Sequence, residues 1–327
     1  MTTFSALIIT HGREELLLKC LNSLRPQGPN WQLILVANGE VVSDEVKKLA
    51  NEICEDVHIV DIEQKVLAGE ARNIGLEYVK GEWVFFLDDD AYLIGNYFDH
   101  LVPLLTKEGI DVIGGPDAPA KNMNSWSEAL AIALASPFCT GKTFLRHSSQ
   151  GKMLKVATEE TLTSCNLWVR THWLKEIKFP ENYKRAEENV LLVQLKNAGA
   201  HLYHHPLMKV AHFRRKSLLE LIRPIFDSGF FRSKLMREFK TAGSSTFWLP
   251  SIFVLSHLLA FISLDSFIYL FKLYLAVIFM MSLNLCSRRR KMSLFFHVII
   301  LHYWIVFIYG LGFLANRLGL YGHHSRS

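Results

Sequence analysis

Three consecutive carboxylates, Asp88, Asp89 and Asp90, directly follow an apolar run at 83–87. Such a run is typical of a core strand, and open α/β sheets bind ligands at the carboxyl ends of their strands. Like charges this close repel one another, and a cation or solvent must offset the repulsion. Mg²⁺ and Mn²⁺ prefer oxygen ligands and are often shared with substrate phosphates. The motif therefore indicates a metal and phosphate site, with a solvated acidic turn as the alternative.

Short β-type runs alternate with helical patterns around this motif. The predicted strands are 6–10, 31–37, 57–61, 83–87, 111–115, 154–157 and 164–169, and the predicted helices are 14–24, 46–53 and 68–79. This rhythm predicts an α/β fold with a mostly parallel, doubly wound sheet. The first turn, Thr10 to Arg13, has neither the GxGxxG nor the GxxxxGK[ST] spacing, which argues against a dinucleotide site and a P-loop.

Composition separates the 327-residue chain into a soluble part and an apolar tail. The N-terminus has no basic region ahead of a long apolar run, so we expect no signal peptide and a cytoplasmic first domain. The five cysteines are scattered without CxxC spacing, which predicts reduced thiols and neither zinc nor disulfides.

Residues 247–316 are rich in Leu, Ile, Phe, Val, Tyr and Trp. Three spans fit the length of a bilayer and a break near Asp265, namely 248–264, 266–285 and 294–315. The basic loop at 288–291 is expected on the cytoplasmic side, which gives a multi-pass protein of the inner membrane with its tail, 317–327, on the far side.

Basic and apolar residues are interleaved at 214–246, a pattern suited to helices in an anionic membrane interface. Nucleic-acid binding is the rival interpretation, and the adjacent spans argue against it. The chain thus comprises a soluble α/β domain at 1–213, interfacial helices at 214–246, a membrane region at 247–316 and a tail at 317–327.

The order of these features resembles the family 2 inverting glycosyltransferases of GT-A fold, over most of residues 4–215. Residues 68–75, AGEARNIG, are similar to the family's G-x-x-x-A-R-N-x-G segment, and Asp88 to Asp90 resemble its D-x-D motif. The opening strand and turn, 6–13, also resemble the family, with His11-Gly12 in place of the usual residues. The resemblance implies a GT-A (Rossmann-like) catalytic domain, a nucleoside diphosphate sugar as donor, with a UDP-sugar expected, and Mn²⁺ or Mg²⁺ as cofactor.

The resemblance also assigns roles to individual residues on the donor side. The implied donor-binding residues are Thr10, Arg13, Asn38, Arg72, Asn73, Asp88 and Asp89. Asp90 is the implied metal ligand and His212 a further ligand, with a structural histidine as the alternative. Ala37 stands where relatives carry an acidic residue that contacts the base, so the nucleotide stays open.

On the acceptor side, Glu187 and Glu188 resemble the family's E-D pair. Inversion by direct displacement needs a general base for the acceptor proton; the resemblance assigns that role to Glu188 and acceptor positioning to Glu187. A solvated helix start is the alternative for this pair. Asn166 lies in a strand that resembles the one beside the acceptor. Arg223 and Arg232 match the R-x-x-x-x-x-G-x-x-R region of membrane-bound members that make exopolysaccharide.

The leading hypothesis is a membrane-anchored, metal-dependent transferase that moves one sugar to a lipid-linked saccharide in cell-surface polysaccharide synthesis. The Q-x-x-R-W motif of processive synthases is absent from the sequence, which favours single-sugar transfer. One alternative is transfer to polyprenyl phosphate, an acceptor that needs no deprotonation. Another is a catalytically silent GT-A scaffold in a polysaccharide-export complex.

Overall fold

The structure is a computed structural model that describes residues 3–25, 31–149 and 151–320. The strands are β1 (Phe4–Thr10), β2 (Trp31–Asn38), β3 (Asp56–Ile62), β4 (Trp83–Leu87), β5 (Ala91–Ile94), β6 (Val112–Gly114), β7 (Asp117–Pro119), β8 (Lys155–Val156), β9 (Asn166–Arg170), β10 (Leu202–His204) and β11 (Lys209–His212). The α-helices are α1 (Glu14–Asn22), α2 (Asp44–Ile53), α3 (Ala68–Leu76), α4 (Tyr97–Leu105), α5 (Ser125–Leu134), α6 (Pro137–Thr140), α7 (Thr171–Glu176), α8 (Glu187–Asn197), α9 (Leu219–Glu238), α10 (Leu249–Ser256), α11 (Leu264–Arg288) and α12 (Phe295–Arg317). Four 3₁₀ helices span Gly141–His147, Ser245–Trp248, His257–Phe261 and Met292–Leu294 in the described part of the chain.

The chain divides into two compact units. The first contains the described residues up to Lys121 together with Leu145–Phe213, and the second contains Asn122–Phe144 together with the described residues from Arg214 onward. Residues 122–144 therefore group with the C-terminal helices, although the sequence predicts one continuous domain at 1–213. The reason is apolar packing, because Ala129 and Ala133 of α5 share a buried cluster with Val298 of α12.

In the first unit, a large sheet has the strand order β3-β2-β1-β4-β9-β6-β10-β8. Strands β1, β2, β3 and β4 run parallel to one another. Strand β9 is antiparallel to both of its neighbours, β4 and β6. A smaller sheet has the order β5-β11-β7. The predicted mixed α/β fold with a mostly parallel sheet is confirmed.

Close packing of α3 on the sheet explains the glycine of the A-R-N-x-G segment. A Cβ atom on Gly75 would lie 2.9 Å from side-chain atoms of both Leu7 and Val36. Those two residues belong to the buried strands β1 and β2. Gly75 thus lets α3 approach the sheet, and the same helix carries Arg72 toward the carboxyl ends of the strands.

In the second unit, α9 packs closely along α12. A Cβ atom on Gly229 would overlap the backbone oxygen of Tyr309, and one on Gly312 would overlap that of Phe226. Among the described residues, two helical segments are long and apolar enough to cross a membrane. They are Leu264–Arg288, with mean hydropathy 1.9 and 11% of its 18-residue apolar stretch buried, and Met292–Arg317, with mean hydropathy 2.1 and 50% of the corresponding stretch buried.

The predicted span at 248–264 differs from these two segments. It falls within a shorter apolar helical stretch, Ser245–Phe261, in which α10 is flanked by two 3₁₀ turns. A side chain competes there for a backbone hydrogen-bond acceptor, because Oγ of Ser256 donates to the carbonyl of Phe253 at 2.6 Å. Such bonds offer the backbone an alternative to regular helical hydrogen bonding. The next helix begins at Leu264, with Asp265 in its first turn.

Candidate active site

The acidic motif lies in the loop between β4 and β5, where strand register brings it beside a histidine. Strand β5 pairs antiparallel with β11 so that Ala91 lies opposite His212. One potential ligand atom from each of Asp88, Asp90 and His212 lies within 4.8 Å of the other two. Nε2 of His212 is 3.0 Å from Oδ1 of Asp90. Two carboxylates and an imidazole form a donor set that suits Mn²⁺ or another divalent ion.

Arg13 connects the first turn to this motif. Its Nη2 is 2.5 Å from Oδ1 of Asp89, and its Nη1 contacts Oδ2 of Asp90. Burial raises the pKa of Asp89 to about 7, although Arg13 opposes the shift. Burial also acts on Asp90, but the contact with His212 and the positive charge of Arg13 outweigh it and lower the pKa of Asp90. Neighbouring carboxylates in this loop therefore differ in how readily they ionise.

Arg72 joins the acidic loop to helix α8. Its Nη1 donates to Oε1 of Glu187 at 2.6 Å, while its Nη2 lies 3.4 Å from Asp88 and 3.1 Å from Oγ of Ser164. Burial and the neighbouring charge of Glu188 raise the pKa of Glu187, whereas Arg72 opposes this. Burial likewise raises the pKa of Asp88 against the attraction of Arg72. One guanidinium thus lies between the donor-side and acceptor-side carboxylates named from the sequence.

Glu188 follows Glu187 in the first turn of α8 and has a different partner. Its Oε1 is 3.4 Å from Nη1 of Arg146, and its side chain is 12% exposed. Arg146 also donates to the side chain of Asn189 and, at 3.0 Å, to the carbonyl of Glu160. Ala186, immediately before the helix, has a left-handed backbone with φ of 65°. The contacts of Arg146 hold this start of α8, and Glu188 keeps partial access to solvent.

The first turn of the chain is braced by the turn after β2. Oγ1 of Thr10 donates to Glu40 at 3.3 Å, and the backbone N–H of Gly12 donates to the same carboxylate. Nδ1 of His11 is 2.8 Å from the carbonyl of Asn38. The amide of Asn38 is engaged with the backbone of Val66, at 2.9 and 3.0 Å. Glu40 therefore supplies an acidic group close to Ala37, the position at which the sequence lacks the acidic residue expected from the family resemblance.

Asn73 and Asn166 make hydrogen bonds outside the acidic cluster. The amide of Asn73 donates to the carbonyl of Phe179 and accepts from its N–H, both at 2.9 Å. Asn166 is fully buried and donates to the carbonyl of Met208 at 2.7 Å, while Tyr97 donates to its side-chain oxygen. Asn73 thus joins α3 to the segment at Phe179, and Asn166 joins β9 to Tyr97 of α4 and to Met208.

Arg223 and Arg232 belong to α9 in the second unit. Arg223 lies 3.1 Å from Asp227 one helical turn later. Arg232 is buried, and its guanidinium lies 4.5 Å from the ring centroid of Phe247. These two side chains thus have local partners within the second unit.

Several site residues have no motif in the sequence that would reveal them. Arg146 and Ser164 contact the predicted site only through folding of distant segments, since they lie 42 and 92 residues from their partners Glu188 and Arg72. Asp117, which contacts His212, is 95 residues from it. Glu40 directly follows the Asn38-Gly39 turn, and this position is the sequence feature that could have identified it as a site residue.

Comparison with known proteins defines the class. The chain belongs to glycosyl transferase family 2, because the model of that family matches residues 5–177, more than half of its length. The match covers the opening strand, the acidic loop, and the segments that carry Arg72, Arg146 and Ser164. A glycosyltransferase is thus the class that both the fold and the family define.

Individual relatives are more distant. The teichoic acid poly(glycerol phosphate) polymerase of Staphylococcus epidermidis is 30% identical over 108 residues, which cover 30% of this chain and only 15% of that protein. The crystal structure of S. aureus TarS 1-349 has a TM-score of 0.54 at 15% identity, over 98% of this chain and 93% of that one. The same protein in complex with UDP-GlcNAc gives 0.53 at 16% identity, over 97% and 92%. At such identity the structural likeness concerns the fold alone.

Proposed function

We propose that this glycosyltransferase moves a sugar from a nucleoside diphosphate sugar to a lipid-linked saccharide, with inversion, in the synthesis of a cell-surface polysaccharide. The observation that carries the proposal is the position of Arg72, which contacts both Asp88 and Glu187. The carboxylates that we propose for the donor and the acceptor sides are therefore neighbours in one unit, and such proximity supports direct displacement.

On the donor side, we propose that Asp88, Asp90 and His212 hold Mn²⁺ or Mg²⁺, since their ligand atoms lie within 4.8 Å of one another. Such an ion would neutralise charge on the diphosphate leaving group. Arg13 supplies a further cation beside Asp89 and Asp90. UDP is the first nucleotide to test, because TarS was crystallised with UDP and with UDP-GlcNAc.

On the acceptor side, we propose Glu188 as the general base. Its carboxylate is partly exposed and its contact with Arg146 is long, at 3.4 Å. Glu187 is less available, because it is buried and lies 2.6 Å from Arg72. Glu188 would accept the proton of the acceptor hydroxyl while that oxygen attacks the anomeric carbon and the diphosphate departs.

We further propose multi-pass attachment to the inner membrane with the catalytic unit in the cytoplasm, which suits a lipid-linked acceptor. The long apolar helix α11 supports this, because only 11% of its apolar stretch is buried. Arg288 and the basic residues after it suit the cytoplasmic face. Half of the apolar stretch that contains α12 is buried, so α11 offers the larger surface to lipid.

The test is a panel of nucleotide sugars offered to the full chain in detergent with Mn²⁺, with nucleotide release measured with and without a membrane lipid extract. We expect one UDP-sugar to be hydrolysed slowly and the extract to accelerate release. Asp90→Asn should remove both activities. Equal release by the unmodified protein and by Asp90→Asn, or release from no donor in the panel, would count against the proposed function.

A further inference from the structure

His212 is held from both sides of its ring. Its Nε2 lies 3.0 Å from Oδ1 of Asp90, and its Nδ1 lies 3.3 Å from Oδ2 of Asp117. The second oxygen of Asp117 contacts Nδ1 of His147 at 2.5 Å. One buried carboxylate, 3% exposed, thus lies between two imidazoles, and one of these faces the acidic loop.

Strand pairing fixes this arrangement. Strands β7 and β11 are parallel neighbours, and Asp117 lies opposite Val210. His212 is two residues further along β11, on the same face of the strand as Val210. The backbone ladder therefore sets the separation of Asp117 and His212, independently of the loop that carries Asp90.

We propose that Asp117 is a positioning residue that keeps the Nδ1 proton of His212 directed at its own carboxylate and thereby presents the Nε2 lone pair to the divalent ion. An imidazole can bind a metal through Nε2 only when its proton is on Nδ1, and carboxylates commonly hold metal-binding histidines in that state. The inference rests on the proposed metal site and extends it to Asp117, which contacts the ring nitrogen of His212 opposite the one that faces Asp90.

Asp117→Asn is the direct variant. The amide keeps the size of the side chain but offers one acceptor oxygen where the carboxylate offers two. We expect the Kd for Mn²⁺, measured by the electron paramagnetic resonance signal of the free ion, to rise about 10- to 100-fold. Sugar transfer should recover at high Mn²⁺, so the apparent KM for Mn²⁺ should change more than kcat.

Two further variants separate positioning from general stability. Asp99→Asn, at an exposed position of α4, should leave the Kd for Mn²⁺ unchanged. His147→Gln removes the other imidazole and should leave the affinity much closer to that of the unmodified protein than Asp117→Asn does. A larger loss in His147→Gln than in Asp117→Asn would overturn the inference.

A measurement on the unmodified protein covers the case in which Asp117→Asn does not fold. The ¹⁵N spectrum of the imidazoles, with His212 assigned through the spectrum of His212→Gln, should show the Nδ1–H form when Mg²⁺ is bound. An Nε2–H form in the presence of bound Mg²⁺ would refute the role of Asp117. Unchanged Mn²⁺ affinity in Asp117→Asn defeats this inference alone, whereas failure of the unmodified protein to bind Mn²⁺ defeats the metal site itself.

Discussion

Arg72 and Glu187 form a buried ion pair, with Nη1 and Oε1 2.6 Å apart and both side chains less than 10% exposed. The pair joins α3, which carries the A-R-N-x-G segment, to the first turn of α8. Glu187 has a like-charged neighbour in Glu188, so Arg72 is the group that makes an ionised carboxylate tolerable at this depth. Because Arg72 also lies 3.4 Å from Asp88, the pair holds the acidic turn of α8 beside the loop that carries Asp88.

Replacing only one member of this ion pair should destabilise the protein more than replacing both members. In Arg72→Met, Glu187 is left as a buried carboxylate without its cation, which costs roughly 3 to 5 kcal/mol. The double variant Arg72→Met with Glu187→Met should recover most of the loss. We expect the melting temperature of the full chain, measured by tryptophan fluorescence, to be lowest for Arg72→Met and closer to that of the unmodified protein for the double variant.

A surface pair provides the matched control for that experiment. Lys178 and Glu77 are 2.8 Å apart but exposed, so Lys178→Met should change the melting temperature little. If Arg72→Met melts like Lys178→Met, or if the double variant melts below Arg72→Met, the buried pair does not have the role described.

Asp90→Ala should abolish transfer and weaken nucleoside diphosphate binding without unfolding the protein. The variant removes one of the three candidate metal ligands, while Arg13 keeps its contact with Asp89. Calorimetry should find that Mn²⁺ strengthens UDP binding to the unmodified protein and has little effect on the variant. If Mn²⁺ leaves the UDP affinity unchanged in both proteins, Asp90 is not a metal ligand at a nucleotide site. Asp99→Ala serves as the control.

His204 should make the protein less stable as the pH falls. Burial, together with the charges of Lys155 and His205, lowers the pKa of His204 from 6.5 to about 4. Between these values the unfolded chain binds a proton at this side chain and the folded chain does not, so folding is progressively disfavoured as the pH drops through this window. Each unit of separation corresponds to about 1.4 kcal/mol.

The measurement compares melting temperatures from pH 7.5 to pH 4.5 for the unmodified protein and His204→Leu. The loss on acidification should be smaller in the variant. His172→Gln, at an exposed position of α7, should follow the unmodified protein. Parallel curves for the unmodified protein and His204→Leu would show that His204 does not contribute.

The loop between α11 and α12 should lie on the same side of the membrane as the catalytic unit. Nζ of Lys291 is 3.1 Å from Glu128 of α5, and the chain between β7 and β8 contains no helix of span length among its described residues. In a cysteine-free background, Ser287→Cys should resist an impermeant maleimide in intact cells and react in inverted vesicles. Asp44→Cys, fully exposed in the first unit, should behave identically. Labelling of Ser287→Cys in intact cells would place the loop outside.

The sequence predicts the early strands and the acidic loop well, because each is a short local pattern. Strand β4 coincides with its predicted run, and β1, β2 and β3 extend theirs by one or two residues. Register is different in kind: the pairing of Ala91 with His212 and of Val210 with Asp117 depends on strands far apart in the chain. For that reason the sequence alone leaves His212 open between a metal ligand and a structural histidine, and it does not identify Asp117 or Arg146.

Helix context also limits prediction from sequence. The alanine-rich segment at 125–134 carries no local sign that it packs with α12. Asn73 and Asn166 were predicted at the site by resemblance, and whether they contact substrate stays a prediction. Their hydrogen bonds to Phe179 and Met208 account for their polarity without a ligand.

Glu188→Gln is the sharpest test of the chemistry. The amide keeps the shape of the side chain and can still contact Arg146, but it cannot accept the proton of the acceptor hydroxyl. Turnover should fall roughly 10²- to 10⁴-fold while donor affinity changes little. Glu187→Gln should act differently, because it weakens the pairing with Arg72, and we expect the acceptor KM to rise at least as much as turnover falls.

Steady-state kinetics measure turnover and the acceptor KM of the two variants, and calorimetry measures their affinity for the donor nucleotide. The matched control is Glu176→Gln, at an exposed position of α7. Near-normal turnover in Glu188→Gln would leave two explanations with different signatures. If another carboxylate is the base, a second variant among the acidic residues will lose turnover with the same acceptor. If the acceptor is polyprenyl phosphate, which needs no deprotonation, Glu188→Gln will stay active while Asp90→Ala remains inactive.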